Sequence, residues 1–324
     1  MTMDLANIWI DWLWGWLWQS SLLVAIVVVL DLALRRFVTP SFRLAAWSLV
    51  LLKLILPPVL YTPVSLVALC ESLATRWNLP WPMFHCPSEA LAQQPAIIIA
   101  LLTIWLIGVV ALSVMYLHRV GRLRRDVLDE AGAEPPGWLE RDFEAMVRRI
   151  KPRKRPRLAV TEKFHSPAVL GVWKPLVVVP RDLVERLGQT QMRHVFAHEL
   201  MHIERGDLAY QRLAAAVQIM HWINPLAWLV RRRLQSLQEM GCDRATIARL
   251  NETPERYRRT ILEIVRPLVN RYGAPRHVMG LFGRSSIVAR LRVLERHSPA
   301  MARPYSWGIA LFMVLMKIFV FPMG

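Results

Sequence analysis

Two histidines and a glutamate in the stretch Gln191 to Asp207, QMRHVFAHELMHIERGD, have the spacing of a metal site: His198-Glu199-Leu200-Met201-His202 is an HExxH pattern. On a helix, positions i and i+4 stack on one face, so both imidazoles can converge on one ion with Glu199 beside them. Val195, Phe196, Leu200, Met201 and Ile203 fill the other faces and predict a buried helix. An ionised Glu199 is costly there unless a cation or a hydrogen-bond network compensates it. A catalytic zinc ion needs three protein ligands and an open position for water, so a third ligand must come from elsewhere. A second helical stretch, Ala227 to Leu250, carries Glu239-Met-Gly-Cys-Asp243, with Glu239 and Asp243 on one face. Glu239 is the expected third ligand. Asp243 is placed to accept the free N–H of a ligand imidazole and fix its orientation. Asp207 either plays the same part or caps the helix that begins at Leu208. In this arrangement Glu199, which is not a ligand, is the general base for hydrolysis.

Four ordered motifs extend the pattern: Ser166-Pro-Ala-Val-Leu-Gly171 with Lys174-Pro-Leu-Val-Val-Val-Pro180, then HELMHIERGD, HWINPLAWL at His221 to Leu229, and QEMGCD at Gln238 to Asp243. Together they resemble the M56 family of membrane-embedded metallopeptidases, whose best-known members are the beta-lactam sensor-transducers. The resemblance covers almost the whole chain. It implies an α+β, mainly helical, multi-pass membrane protein with four transmembrane helices and a cytoplasmic, gluzincin-like HExxH peptidase domain. It also implies Zn2+ as cofactor and a protein substrate, such as a transcriptional repressor. The region from Ser166 to Pro180 is expected to supply a sheet edge above the zinc cleft, where an extended peptide could add as a strand. The sequence stops at Gly324, without the extracellular penicillin-binding domain that follows in the sensor-transducers. A separate sensor protein, or the loop at residues 61–95, is then expected to receive the signal.

The elements that must position this site read as membrane helices. The chain is 54% hydrophobic yet carries a net charge of +17, mixing long apolar runs with basic segments. Ile8 to Leu34 is longer than the ~20 residues a spanning helix needs. Trp9, Trp12, Trp14, Trp16 and Trp18 crowd its first half as an interfacial belt would. Asp4 and Asp11 lie at its start while Arg35 and Arg36 follow it, the reverse of a secretory signal, which predicts a retained helix with its N-terminus outside. The second run, Leu44 to about Leu60, holds Lys53, which should face protein or water rather than lipid. Residues 61–95 carry one basic residue, Arg76, and form the expected extracytoplasmic loop; Cys70 and Cys86 within it either pair or stay as thiols. The third span runs from Ala96 to Leu117. Trp307 to Phe321, interrupted by Lys317, is the fourth, or else lies in the interface.

The domains expected are thus residues 1–117 with three transmembrane helices, 118–303 as the cytoplasmic peptidase, and 304–324 as the last span. Between His118 and Arg303 lie 35 of the 41 Lys and Arg and 19 of the 24 Asp and Glu. Arg119, Arg122, Arg124 and Arg125, close to the third span, place this part in the cytoplasm of a bacterial cell, at its inner membrane. The run Arg148 to Arg157, RRIKPRKRPR, has no interleaved aromatics and no DNA-binding motif, so anionic lipid is the expected partner and not nucleic acid. Within the domain, Trp138 to Ile150 reads as a helix, and Arg157 to Val160 and Leu176 to Val179 as strands. His221 is either a contact for substrate or a hydrogen-bonded structural residue. Two other functions fit parts of the pattern. An M48-like quality-control protease would need two spans after the catalytic helix, and Leu208 to Val230 is apolar enough to raise that question. A catalytically silent scaffold would have no need for Glu199 and three ligands together.

Overall fold

Three consecutive valines set the architecture around the HExxH helix. Val177, Val178 and Val179 are all fully buried, so their strand is covered on both faces, which explains an unbroken apolar run where a half-exposed strand would alternate. The computed structural model describes residues 2–34, 38–56, 94–130 and 135–272, together with Arg76 and Arg290. The described elements are helices α1 (Thr2–Leu34), α2 (Pro40–Ile55), α3 (Pro95–Glu130) and α4 (Gly137–Ile150), then strands β1 (Arg157–Thr161), β2 (Ala168–Leu170) and β3 (Leu176–Pro180). They continue with α5 (Arg181–Arg186), α6 (Gln189–Arg205), α7 (Asp207–Met220), α8 (Pro225–Leu250) and α9 (Pro254–Tyr272). The protein is mainly helical with one small sheet. Among the described residues two compact units separate: those up to Val114 with Ala214–Leu234, and Met115–Leu213 with those from Gln235 onward.

In the second unit the sheet order is β1-β3-β2, with β1 parallel and β2 antiparallel to β3. Leu176–Pro180 is therefore the central strand and has no free edge; within the motif from Ser166 to Pro180, only β2 can accept a further strand. On one face Val177 and Val179 pack into a core with Leu139, Phe143, Met146 and Ile150 of α4 and Phe196 and Leu200 of α6. On the other, Val178 meets Ala159 and Val127 from the end of α3. The apolar residues of α4 recur at i, i+4, i+7 and i+11, which makes one buried stripe on an otherwise charged helix. Phe143 meets Phe196 edge to face at 5.2 Å.

Helix α6 begins where the Gln191 side chain accepts a hydrogen bond from the Gly188 N–H at 3.1 Å. It stops at Gly206, whose φ of +74° lies in the left-handed region that a side chain disfavours. The chain turns there within one residue, so Asp207 opens α7 directly beside the last turn of α6.

In the first unit α1 and α2 run antiparallel, with Trp16 Nε1 donating to Leu56 O at 2.9 Å at one end and Arg43 paired with Asp31 at the other. Lys53, Gln19 and Ser20 are buried. Two described helices are long and apolar enough to cross a membrane, Ile8–Leu34 and Ala96–Val127; α2 has 16 residues. Helix α3 does not end near Leu117 but continues past the basic cluster to Glu130, because its arginines and leucines are good helix formers and no Pro follows until Pro135. The 213–230 stretch, placed by sequence inside the 118–303 domain, largely groups with the N-terminal helices. The expected fourth span and the Cys70 and Cys86 positions lie outside the described residues.

Phe143 joins α4 to the catalytic-motif helix from a fully packed position. Phe143→Ala should destabilise the second unit by about 3–5 kcal/mol, read as a lower denaturation midpoint in detergent solution.

Candidate metal centre

Helix α6 presents His198 and His202 on one face, ring centroids 4.9 Å apart, and α8 brings Glu239 to them. His198 Nε2 lies 3.5 Å from one carboxylate oxygen of Glu239 and His202 Nε2 lies 3.5 Å from the other. These are long for hydrogen bonds. They suit atoms that share a cation: ligands about 2.0–2.1 Å from a tetrahedral zinc are about 3.4 Å apart. The ligand atoms of all three residues fall within 4.8 Å of one another. The Glu239 side chain is 13% exposed, and Arg290 Nη1 lies 2.9 Å from its Oε2. That contact is an ion pair off the angle of a hydrogen bond, so the oxygen has charge beside it but no directed donor. The residues present therefore fit a metal: two imidazoles and a carboxylate, largely buried, aimed at one point and incompletely hydrogen-bonded.

Each imidazole is held from behind. His202 Nδ1 is 2.9 Å from Asp207 Oδ2, which the Gly206 turn carries back against the helix. His198 Nδ1 is 3.0 Å from the Tyr257 hydroxyl, which itself donates to Asp243 Oδ1 at 2.8 Å. Asp243 Oδ1 is also 3.3 Å from His198 Nδ1. An Nδ1–H donated to a carboxylate or hydroxyl leaves Nε2 as the lone-pair side, the tautomer a metal ligand requires. The Asp207 carboxylate accepts from Arg205 and from the Cys242 thiol at 3.1 Å as well. His202, Asp207 and Cys242 form a second group with metal-ligand spacing. Burial, then the Asp207 charge, push the Cys242 thiol well above its usual range, so it stays an S–H donor, and this group serves the Nδ1 side of His202.

Glu199 is buried beside His198 and lines an open cleft with Pro167, Val195, Tyr257, Ile261 and Ile264. Burial raises its pKa, with His198 and His202 pulling in the opposite direction. A carboxylate moved upward in this way is a better proton acceptor near neutral pH than an exposed one. His194, on another wall, is engaged by Thr260 Oγ1 at 2.8 Å. His221 belongs to the first unit, where its Nε2 is 2.9 Å from Leu54 O.

Two contributors escaped sequence reading. Arg290 is buried and bonds both oxygens of Asp243, each at 2.7 Å, while touching Glu239. Tyr257 links His198 to Asp243. Arg290 is one arginine among many, and Tyr257 one aromatic in an otherwise basic stretch; neither has a spacing that marks it. Burial opposes charge on His198, but hydrogen bonding to Asp243 and Glu239 pushes it up to about 10. Burial opposes the charge on Glu239 too, yet Arg290, His198 and His202 hold it down at about 2.

A family profile described as BlaR1 peptidase M56 matches residues 13–294. Regulatory protein BlaR1 of Bacillus licheniformis is 24% identical over 156 residues, 47% of this chain and 25% of the relative. Methicillin resistance mecR1 protein of Staphylococcus aureus is 25% identical over 164 residues, 50% of this chain and 28% of the relative. The matched part thus spans about a quarter of the length of these curated relatives.

In protein stripped of divalent metal by chelation, the raised His198 contributes stability that is full below about 6.5 and lost as pH rises through about 10. Glu239 contributes stability present above about 4.5 and lost as pH falls through about 2. Thermal unfolding of chelated protein should therefore show an alkaline limb, declining from pH 6.5 towards 10, that His198→Ala removes.

Proposed function

The chain belongs to the M56 peptidase family, and from that membership we propose that it is a membrane-embedded zinc endopeptidase acting on a cytoplasmic protein. The observation that carries this reading is the convergence of His198 Nε2, His202 Nε2 and the Glu239 carboxylate, with both Nδ1 atoms held by partners behind them. His198, His202 and Glu239 are the proposed ligands. Asp207 orients His202, and Asp243 orients His198 with the help of Tyr257.

Zinc held by His198, His202 and Glu239 would supply Lewis acidity towards a water molecule and the scissile carbonyl. Glu199, raised in pKa by its burial, takes a proton from the attacking water and passes it to the leaving amine. Arg290 favours the anionic form that Glu199 takes before and after this relay, while between the two steps the carboxyl group holds the proton and is neutral. The free edge of β2 offers main-chain groups to an extended substrate, and Pro167, just before it, lines the cleft beside Glu199.

The proposed topology has four spans and a cytoplasmic peptidase domain at 118–303 in a bacterial inner membrane. Ile8–Leu34 and Ala96–Val127 support it by length and apolarity, and the basic residues after α1 and within α3 support its orientation. The two relatives are named as a regulatory and a resistance protein. A regulatory role is proposed here on that likeness: cleavage of a transcriptional repressor, after self-cleavage between Arg284 and Arg303, with the signal received by a separate sensor protein or the 61–95 loop.

Glu199→Gln should keep stoichiometric zinc, measured by mass spectrometry in detergent, and lower turnover ~10²- to 10⁴-fold. Self-cleavage fragments on a gel from the wild type alone would meet that expectation; zinc in both with identical fragments would remove Glu199 from the mechanism, and no zinc in either would favour a scaffold. Asp207→Ala should weaken zinc ~10- to 100-fold, read by competition with a chromophoric chelator. Because His198, pushed up to about 10, must lose a proton to bind metal, wild-type affinity should fall as pH falls below about 10, by roughly tenfold per unit.

A further inference from the structure

Between Arg212 and Arg231 the chain carries no charged side chain, long enough to cross a bilayer, yet it does not run straight. Helix α7 ends at Met220, residues 221–224 turn, and α8 begins at Pro225. Gln218 accepts from Arg231 across the pair, so the two helices run back along each other as a hairpin.

Within the first unit, the tip of this hairpin is hydrogen-bonded to all three N-terminal helices. His221 Nε2 reaches Leu54 O of α2 at 2.9 Å, Asn224 Nδ2 donates to Ser20 Oγ of α1 at 3.1 Å, and Trp105 Nε1 of α3 donates to Met220 O at 3.1 Å. Trp222 Nε1 returns a bond to Trp105 O, and its indole fills the space where a Cβ on Gly108 would stand, 2.4 Å from that atom. The turn also closes on itself: Trp228 Nε1 donates to Trp222 O, and Leu226 N donates to Asn224 Oδ1. Backbone freed by a helix break is thus satisfied inside protein, as non-helical chain at membrane depth must be.

Depth follows from counting along the helices. Asp31 pairs with Arg43 and Arg233, and this charged cluster around the buried Asp31 marks the level where α1 ends and α2 begins. Ser20 lies eleven residues from Asp31, Leu54 eleven from Arg43, and Asn224 nine from Arg233. At 1.5 Å per residue each tip contact is ~14–17 Å from that level, about half of the ~30 Å hydrocarbon thickness. Gly108 is likewise eleven residues from Arg119. The outer face of the hairpin exposes Met220, Ile223, Trp228 and Leu229, as α3 exposes Ile104 and Ile107 at that depth.

We propose that residues 214–234 form a re-entrant hairpin that enters the hydrocarbon from the side of Asp31 and Arg43, turns near the midplane, and presents Met220, Ile223, Trp228 and Leu229 to lipid acyl chains. The inference rests on the reading that α1 and α3 cross the bilayer. Lipid is the occupant of this face because apolarity, depth and continuity with the exposed face of α3 coincide there, and an aqueous hairpin would have no reason to keep residues 213–230 free of charge while Arg231, Arg232 and Arg233 follow at its base.

The test is collision accessibility of a nitroxide label in nanodiscs of phosphatidylcholine and phosphatidylglycerol. The variants are Ile223→Cys and Leu229→Cys, made with Cys70→Ala and Cys86→Ala; Cys242 is fully buried and stays. Ile107→Cys reports a mid-span lipid face and Trp173→Cys, 82% exposed in the second unit, reports water. At positions 223 and 229 the ratio of oxygen to nickel-chelate accessibility should match that at 107 and exceed that at 173 by on the order of tenfold, since charged and hydrated groups are excluded from hydrocarbon. A chelate accessibility like that at 173 would overturn the hairpin. So would low accessibility to both reagents, which would mean that protein, such as a second copy, covers the face. If position 107 itself behaves like 173, the membrane reading of α3 fails instead.

Discussion

The constraint on which the second unit depends is the burial of Glu239, His198 and His202 with their polar atoms facing one another. Taking a carboxylate and two imidazoles out of water is unfavourable unless each lone pair and proton is met. Three of the four sides are met by protein: Asp207 behind His202, Tyr257 and Asp243 behind His198, and Arg290 beside Glu239. The side left under-bonded is the one the three residues share. A divalent cation is the species whose charge and coordination geometry complete it, and the rest of the unit keeps that geometry from relaxing. Val177–Val179 anchor the sheet on both faces, Phe143 and Phe196 lock α4 against α6, and Gly206 turns the chain sharply enough to return Asp207 to His202.

The first unit solves the opposite problem. Its helices are apolar almost throughout, and their few polar groups are gathered where they can meet one another: Asp31 with Arg43 and Arg233 at one level, Ser20 with Asn224 and Leu54 O with His221 at another. In the bilayer setting proposed for these helices such groups would have no water to fall back on, so pairing would fix depth and register as well as contact. The tryptophans take part in the same way. Trp16, Trp105, Trp222 and Trp228 each give their indole N–H to a backbone carbonyl, so one member of the belt read by composition, Trp16, also ties a helix end, and three tryptophans outside that belt secure the turn.

Several features were legible before any coordinates. The i,i+4 pairing of His198 with His202 and of Glu239 with Asp243 follows from helical geometry, and the apolar residues around them predict burial. The stripe on α4, the strands at Arg157 and Leu176, and the apolar runs of α1 and α3 follow from periodicity. Local rules failed at the ends and in the partnerships. Helix α3 outran its apolar segment because basic residues are good helix formers. The edge expected of the region from Ser166 to Pro180 falls to β2 while Leu176–Pro180 is central, since which strand pairs on both sides is a property of the sheet and not of the strand. Asp207 carried two readings, cap or imidazole partner, and only the sharpness of the Gly206 turn brings its carboxylate to 2.9 Å from His202 Nδ1.

What the sequence determined by itself is the chemistry on offer: a set of residue types, their faces on individual helices, and the apolar lengths that suit a membrane. Such properties are local, repeating every two or 3.6 residues, and composition carries them. The tertiary structure alone decided which distant groups meet: Glu239 with the histidine pair, Tyr257 between His198 and Asp243, Arg290 on both carboxylates, and the 221–224 turn against Ser20, Leu54 and Trp105. Those meetings depend on how far buried charge must be compensated in three dimensions, and a single arginine or tyrosine bears no mark in the chain of the cavity it will fill.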